Sequence, residues 1–173
     1  VTRRWRQRGQ LGSLALLLVV AALIVRPWEG GAAPDGGPPA VEAYVIRAVD
    51  GDTIEAHVDD HDEYVRYIGV DTPETVKPDT PVQCFGPRAS SFNHQLVEGR
   101  RVRLVFGVER RDAYGRLLAY VYLGHRFVNA ILARRGLARP LTIPPNDRYA
   151  PLFRRLSLRA ARAGRGLWGA CPT

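Results

Sequence analysis

Two short strings place carboxylates where a chain would need them to hold a cation. Asp50-Gly51-Asp52-Thr53 sets two in a turn, and Asp71-Thr72-Pro73-Glu74 sets two more just past a run of β-forming residues. Hard oxygen donors at strand ends suit Ca2+ or Mg2+. Arg66 lies five residues before Asp71, and Arg116 follows the turn Asp112-Ala113-Tyr114-Gly115. Two carboxylates for a metal, a third carboxylate and two guanidiniums are the parts needed to cut a phosphodiester. The ion polarises a phosphoryl oxygen, a carboxylate such as Glu74 accepts a proton from the attacking water, and the guanidiniums hold the charge that develops. Each string alone has a plainer reading. Asp-Gly is a common turn, the Asp of Asp-Thr-Pro-Glu can serve only nearby amides, and an arginine on an edge strand is ordinarily solvated. Their combination carries the argument.

The elements that must position these residues are short. Residues 43–50, 53–58 and 64–70 are rich in Val, Ile, Tyr and Thr, and in the second run Ile54, Ala56 and Val58 alternate with Thr53, Glu55 and His57. That is the period of a half-buried strand. Asp50, Gly51 and Asp52 make the first turn and His61 with Asp62 falls in the next, which predicts an antiparallel meander. Phe85, Ala89, Phe92 and Leu96 then fall on one helix face, with Pro87 in the first turn and an end near Gly99. Residues 101–106 and 117–123 read as strands four and five. A short helix should end at Gly136, and a last one, with Phe153, Leu156, Ala160 and Ala163 on its apolar face, should close at Gly164 or Gly166. Five strands and about three helices make an α+β domain compatible with a five-stranded barrel of the OB type.

The 173 residues include 46% hydrophobic and 24% charged side chains, with a net charge of +8. This bounds the chain to one domain and excludes collagen, disulfide-dense mini-proteins and multi-pass membrane proteins. The net positive charge fits an anionic partner, nucleic acid or lipid, and of the basic residues only Lys77 is a lysine, an excess of arginine that either genomic base composition or phosphate binding would produce. Residues 1–26 read as a signal peptide or membrane anchor. Arg3, Arg4, Arg6 and Arg8 precede an aliphatic stretch from 11 to 25 that only Gly12 and Ser13 interrupt. Residues 27–40, with four Pro and four Gly, read as a linker, leaving 41–173 as the folded domain with a net charge of +5. The expected location is outside the cytoplasm, secreted or anchored on the outer face of the cytoplasmic membrane.

Four strings now come together: Val49-Asp50-Gly51-Asp52-Thr53, the run from Arg66 to Glu74, Phe85-Gly86-Pro87-Arg88-Ala89-Ser90, and the run from Asp112 to Tyr120. In order and spacing they resemble the signatures of the staphylococcal nuclease (thermonuclease) family, over residues 43 to 169. The resemblance implies an OB-fold, calcium-dependent nuclease acting on DNA and RNA. It implies that Asp52 and Asp71 bind one Ca2+ through carboxylates and Thr72 through its carbonyl. It further implies Glu74 as general base or water-orienting group, Arg66 and Arg116 on the scissile phosphate, Tyr114 as a phosphate or nucleotide contact, and Asp50 close to the metal without ligating it. The sequence departs from the family at Ala113, where the prototype has a lysine, and at Leu141-Thr142-Ile143-Pro144-Pro145, in place of an aromatic pair. Both changes bear on how nucleotides are gripped.

Cys84 and Cys171 are the only cysteines, an even count in a chain read as exported, so a disulfide is expected. Arg148, Arg154, Arg155, Arg159, Arg162 and Arg165 load the last helix and its approach, either as a solvated face or as an electrostatic landing surface. Tyr64, Tyr67 and Phe85 are read as core aromatics in preference to base-stacking ones. The expected activity is calcium-dependent endonucleolytic hydrolysis of DNA and RNA by in-line attack of a Glu74-oriented water. No obligate protein partner is evident, and the membrane is a partner only if the leader is retained. The rivals are a catalytically inactive OB-fold module binding single strands, and an adhesive domain using only the arginine surface.

Overall fold

The computed structural model describes residues 39–76 and 79–171. The expectations for the leader, for all but the end of the linker and for Lys77 lie outside the described residues. Eight strands and four helices follow one another: β1 (Ala40–Ala48), β2 (Thr53–Val58), β3 (His61–Tyr67), β4 (Val70–Asp71), α1 (Gly86–Val97), β5 (Arg101–Arg111), β6 (Leu117–Leu123), β7 (Arg126–Phe127), α2 (Val128–Arg135), β8 (Arg139–Pro140), α3 (Ala150–Arg162) and the single turn α4 (Leu167–Ala170).

Five of the strands close a barrel. The order β3-β2-β1-β5-β6 is antiparallel throughout, and a parallel pairing of β3 with β6 joins its ends through Val65↔Leu117, Arg66↔Leu118 and Tyr67↔Ala119. Closure removes the edges that an open sheet would leave unpaired. The interior follows the strand period of two: Val45, Ile54, Ala56, Val65, Tyr67, Val102, Leu104, Ala119 and Val121 are buried. Three helices pack on this barrel as the apolar spacing predicts. Pro87 opens α1 with no amide to lose, Gly136 ends α2 at a φ of 70°, and Phe153, Ser157 and Ala160 are the buried side of α3.

Several boundaries move. Ala40, at the end of the expected linker, already pairs with Val105. His61 begins β3, and the turn before it is Asp59-Asp60, both at positive φ. The expected third strand is broken after Tyr67 because Gly69 takes a φ of 83°, which swings Val70 and Asp71 out to pair with Pro140 and Arg139. β5 continues past Phe106 through a polar stretch to Arg111, which pairs with Leu117 beyond an irregularity in register. On α1 the buried set is Ala89, Asn93, Leu96 and Val97, with Phe92 only half-buried, and Ala163 lies exposed beyond α3. Tyr67 is a core aromatic as expected and Phe85 packs half-buried against the core, but Tyr64 is exposed. Cys84 and Cys171 form the expected disulfide, with Cα atoms 5.8 Å apart. Among the described residues no helix is long and apolar enough to cross a membrane.

Candidate active site

The turn between β1 and β2 is built around its own carboxylates. The Asp52 amide donates to Asp50 Oδ1 at 2.9 Å, and the amides of Val49 and Asp50 donate to the Thr53 carbonyl. Gly51 is required here for space: a Cβ at this position would lie 2.6 Å from the Thr72 hydroxyl oxygen, so a side chain would push away the loop that follows β4. That close approach lets the Thr72 amide donate to Asp52 Oδ2 at 2.6 Å. Asp52 is 4% exposed. Burial, with smaller contributions from Asp50 and Asp71, pushes its carboxyl up to about 7 against the opposing pull of Arg66 and the Thr72 amide.

Arg66 ties the two carboxylate loops together. Its Nε lies 3.2 Å from Asp52 Oδ1 and its Nη2 2.8 Å from Asp71 Oδ1, while Nη1 donates to the carbonyls of Tyr67 and Val70 at 2.8 and 2.7 Å. Three of its N–H groups therefore donate within the fold and Nε is ion-paired with Asp52, leaving one N–H on Nη2. Arg116 is held differently. Asp112 accepts from its Nε at 2.7 Å and from its amide at 3.0 Å, and among the described residues neither Nη makes a hydrogen bond or ion pair. The Arg116 guanidinium lies over the Tyr114 ring at 5.4 Å. Of the two arginines, Arg116 presents the more open donor fork to an incoming anion.

Glu74 is set by its own loop: Oε1 accepts from the amides of Thr75 and Val76 at 2.8 and 2.9 Å, and the Glu74 amide donates to Gln83. Asp52, Arg66, Asp71, Thr72, Glu74, Tyr114 and Arg116 all line one cleft of about 580 Å³, so residues separated by up to 64 positions in sequence meet in one place. A neighbouring cup of about 420 Å³ shares Arg66, Tyr114 and Arg116 and is walled by Leu118, Leu141 and Ile143. The loop in which the sequence departs from the family's aromatic pair thus forms an apolar wall next to the arginines.

The donor set fits a hard divalent cation in chemistry, though not as a closed cage. Asp52 and Asp71 supply carboxylate oxygens, and the burial that raises Asp52, with the smaller push from Asp50 and Asp71, is what a cation would offset. Among the described residues no group of three or more His, Cys, Asp or Glu side chains converges as a metal cluster. An ion here would draw its remaining oxygens from backbone and water, as Ca2+ with six to eight ligands commonly does.

Three buried asparagines that no sequence motif marks hold the frame. Asn93 on α1 accepts from the Tyr67 hydroxyl and donates to the Asp50 carbonyl, which fixes the first carboxylate turn to the helix. Asn129 on α2 donates to the Ile68 carbonyl and accepts from the Val121 amide, bracing the bend before Asp71. Asn146 pairs with both backbone groups of Glu109 and so pins the loop carrying Leu141 and Ile143. On the surface, Arg111 forms a two-pronged bond with Glu63 and donates to the Gly115 carbonyl at 2.6 Å, holding the Arg116 turn to β3.

A family model described as Staphylococcal nuclease homologue matches residues 64–170. The chain belongs to the staphylococcal nuclease family. Among its relatives, a thermonuclease of Staphylococcus intermedius is 48% identical over 128 residues, covering 73% of this chain and 76% of that protein. A thermonuclease of Staphylococcus hyicus is 38% identical over 162 residues, covering 88% and 95%. Endonuclease YncB of Bacillus subtilis (strain 168) is 45% identical over 116 residues, covering 66% and 55%. Membership in the staphylococcal nuclease family makes hydrolysis of phosphodiester bonds the activity of its kind.

Proposed function

We propose that this nuclease is a calcium-dependent endonuclease that cuts DNA and RNA by in-line attack of a water oriented by Glu74. The observation that carries the reading is the convergence of Asp52, Asp71, Glu74, Arg66 and Arg116 on one cleft. Asp52 and Asp71 through their carboxylates, with the Thr72 carbonyl, would hold one Ca2+, which when bound supplies Lewis-acid polarisation of a phosphoryl oxygen. Glu74, its carboxylate oriented by the Thr75 and Val76 amides, takes the proton of the attacking water. Arg116 holds the scissile phosphate through its outer nitrogens, and Arg66 adds its remaining N–H while keeping the two carboxylate loops in register. Both meet the negative charge that develops on the equatorial oxygens. Tyr114 contacts the nucleotide beside that phosphate. Export is part of the proposal, with the basic, then aliphatic, segment at residues 1–26 supporting it.

The test is cleavage of a fluorogenic single-stranded DNA and a matching RNA, in excess Ca2+ and again in chelator. Cutting in Ca2+ alone, lowered by about 10² or more in Glu74→Gln while binding persists, is the expected outcome. Equal rates in the variant would remove Glu74 from its role, and binding without cutting in any divalent ion would favour the single-strand-binding rival.

A further inference from the structure

Tyr64 lines the same cleft as Glu74 and the two arginines but has no part in the chemistry assigned above. The alternation of β3 sends Val65 and Tyr67 into the core and leaves Tyr64 and Arg66 on the outer face. Same-face neighbours on a strand stand roughly 6.6 Å apart, so the Tyr64 ring is rooted one step from the guanidinium that braces the cleft. It is 45% exposed. It is also held in place. Arg47 Nη2 donates to the Tyr64 hydroxyl at 3.3 Å, and Arg47 Nε is itself gripped by Glu55 Oε2 at 2.6 Å. The registers Arg47↔Glu55 and Glu55↔Tyr64 make these three side chains one row straight across β1, β2 and β3.

An aromatic face open to water, fixed by charged neighbours and adjoining a phosphate site, suits a flat apolar partner, because the ring has already given up the freedom that binding would cost it. We propose that Tyr64 is a stacking platform for the nucleobase of a nucleotide flanking the scissile phosphate. The proposal rests on the nucleic-acid reading above and adds to it a subsite on β3, distinct from the Tyr114 turn and from the apolar cup. Stacking uses the π face that every base has, so the subsite tolerates any sequence but requires the base to be out of a duplex.

The test uses the full chain and short oligonucleotides with one cleavable link, with the base on its 5′ or its 3′ side present or removed. Affinity is measured in chelator, and kcat and KM in excess Ca2+. Removing the base on one of the two sides should weaken binding and raise KM of the unaltered protein about five- to hundredfold, the range typical of one base on an aromatic ring. Tyr64→Ala should show that loss already with the intact oligonucleotide and no further loss with the abasic one, with kcat changed less than about threefold. Tyr64→Phe, which keeps the ring and drops the Arg47 bond, should stay near the unaltered protein. Tyr44→Ala, removing a comparably exposed tyrosine outside the cleft, should leave the base dependence intact. If Tyr64→Ala feels base removal on both sides as strongly as the unaltered protein does, the platform is overturned. If the base dependence tracks Tyr64 in chelator but nothing is cut in Ca2+, the platform stands and the calcium-dependent nuclease reading falls.

Discussion

Residues 41–112 carry nine basic against fourteen acidic side chains, a net of −5, whereas residues 113–173 carry eleven arginines and a single acid, Asp147, a net of +10. The first region holds every carboxylate of the cleft on β1 to β4 and their turns. The second holds α2 and α3, with Arg154, Arg155, Arg159, Arg162 and Arg165 all exposed. A cluster of carboxylates repels a polyanion, and a field of guanidiniums repels a cation. On the proposed function, keeping them in separate stretches lets one region favour the ion and the other favour the nucleic acid. The exception is instructive: Arg116 is the basic residue of the second region that the β5–β6 turn carries into the cleft of the first.

Removing the disulfide that cross-links the two regions should have the largest effect. Cys84 stands at the entry to α1 and Cys171 just beyond α4, and their bond closes a loop of 87 residues. Replacing Cys84 with serine should cost about 4 to 5 kcal/mol in the chain-entropy account, read from urea unfolding of oxidised protein and variant. A destabilisation below about 1 kcal/mol would mean that the cross-link adds little to the packing between the regions.

A smaller effect should separate their roles. The combined Arg154→Gln, Arg155→Gln and Arg159→Gln variant should bind single strands more weakly at low salt, with the slope of log affinity against log salt flattened by about 0.7 for each phosphate that the helix no longer neutralises. Its kcat should not move. An unchanged slope would reduce this helix face to ordinary solvated surface.

The finest contrast lies in single carboxyls within the first region. Burial raises Asp52, but the two-pronged bond from Arg111 holds Glu63 below its ordinary range. A depressed carboxyl contributes stability that is present above its unfolded value and lost as pH falls through the folded one. NMR titration should show Glu63 protonating late on acidification, and returning to the ordinary glutamate range in Arg111→Gln. An unchanged Glu63 midpoint in that variant would show that the bond does not persist in solution.

Strand phase made most of the barrel legible, because Ile54, Ala56 and Val58, or Val102, Leu104 and Phe106, can satisfy alternation in only one way. The same rule, applied to Val65 and Tyr67, puts Tyr64 outward, and reading it as core gave weight to its aromatic type over its position. What stayed out of reach has a common cause. Residues 107–111 lack apolar alternation and are extended because Arg111 finds Leu117 across the turn and Asn146 pairs with the backbone of Glu109. The ladder of Val70 and Asp71 with Pro140 and Arg139 is two residues long and depends on a partner far along the chain. Asn93, Asn129 and Asn146 bond chiefly to backbone groups that tertiary folding delivers, and nothing local marks a buried asparagine. At the cleft the carboxylates and arginines stood out as strings, but the engagement of Arg66 with four internal hydrogen-bond and ion-pair partners did not.

The parallel pairing of β3 with β6 also governs when this chain can act. It sets Arg66 beside Leu118, two positions from Arg116, and this pairing spans about fifty residues. Pairings of such separation form late, since the intervening loop must first be closed at an entropic cost. Until they form, the carboxylate turns and the open guanidinium fork stay apart, and a chain still emerging or still unfolded has no cleft with which to cut. The topology thus works as a timer: on the proposed reading, hydrolytic competence comes only with completion of the barrel.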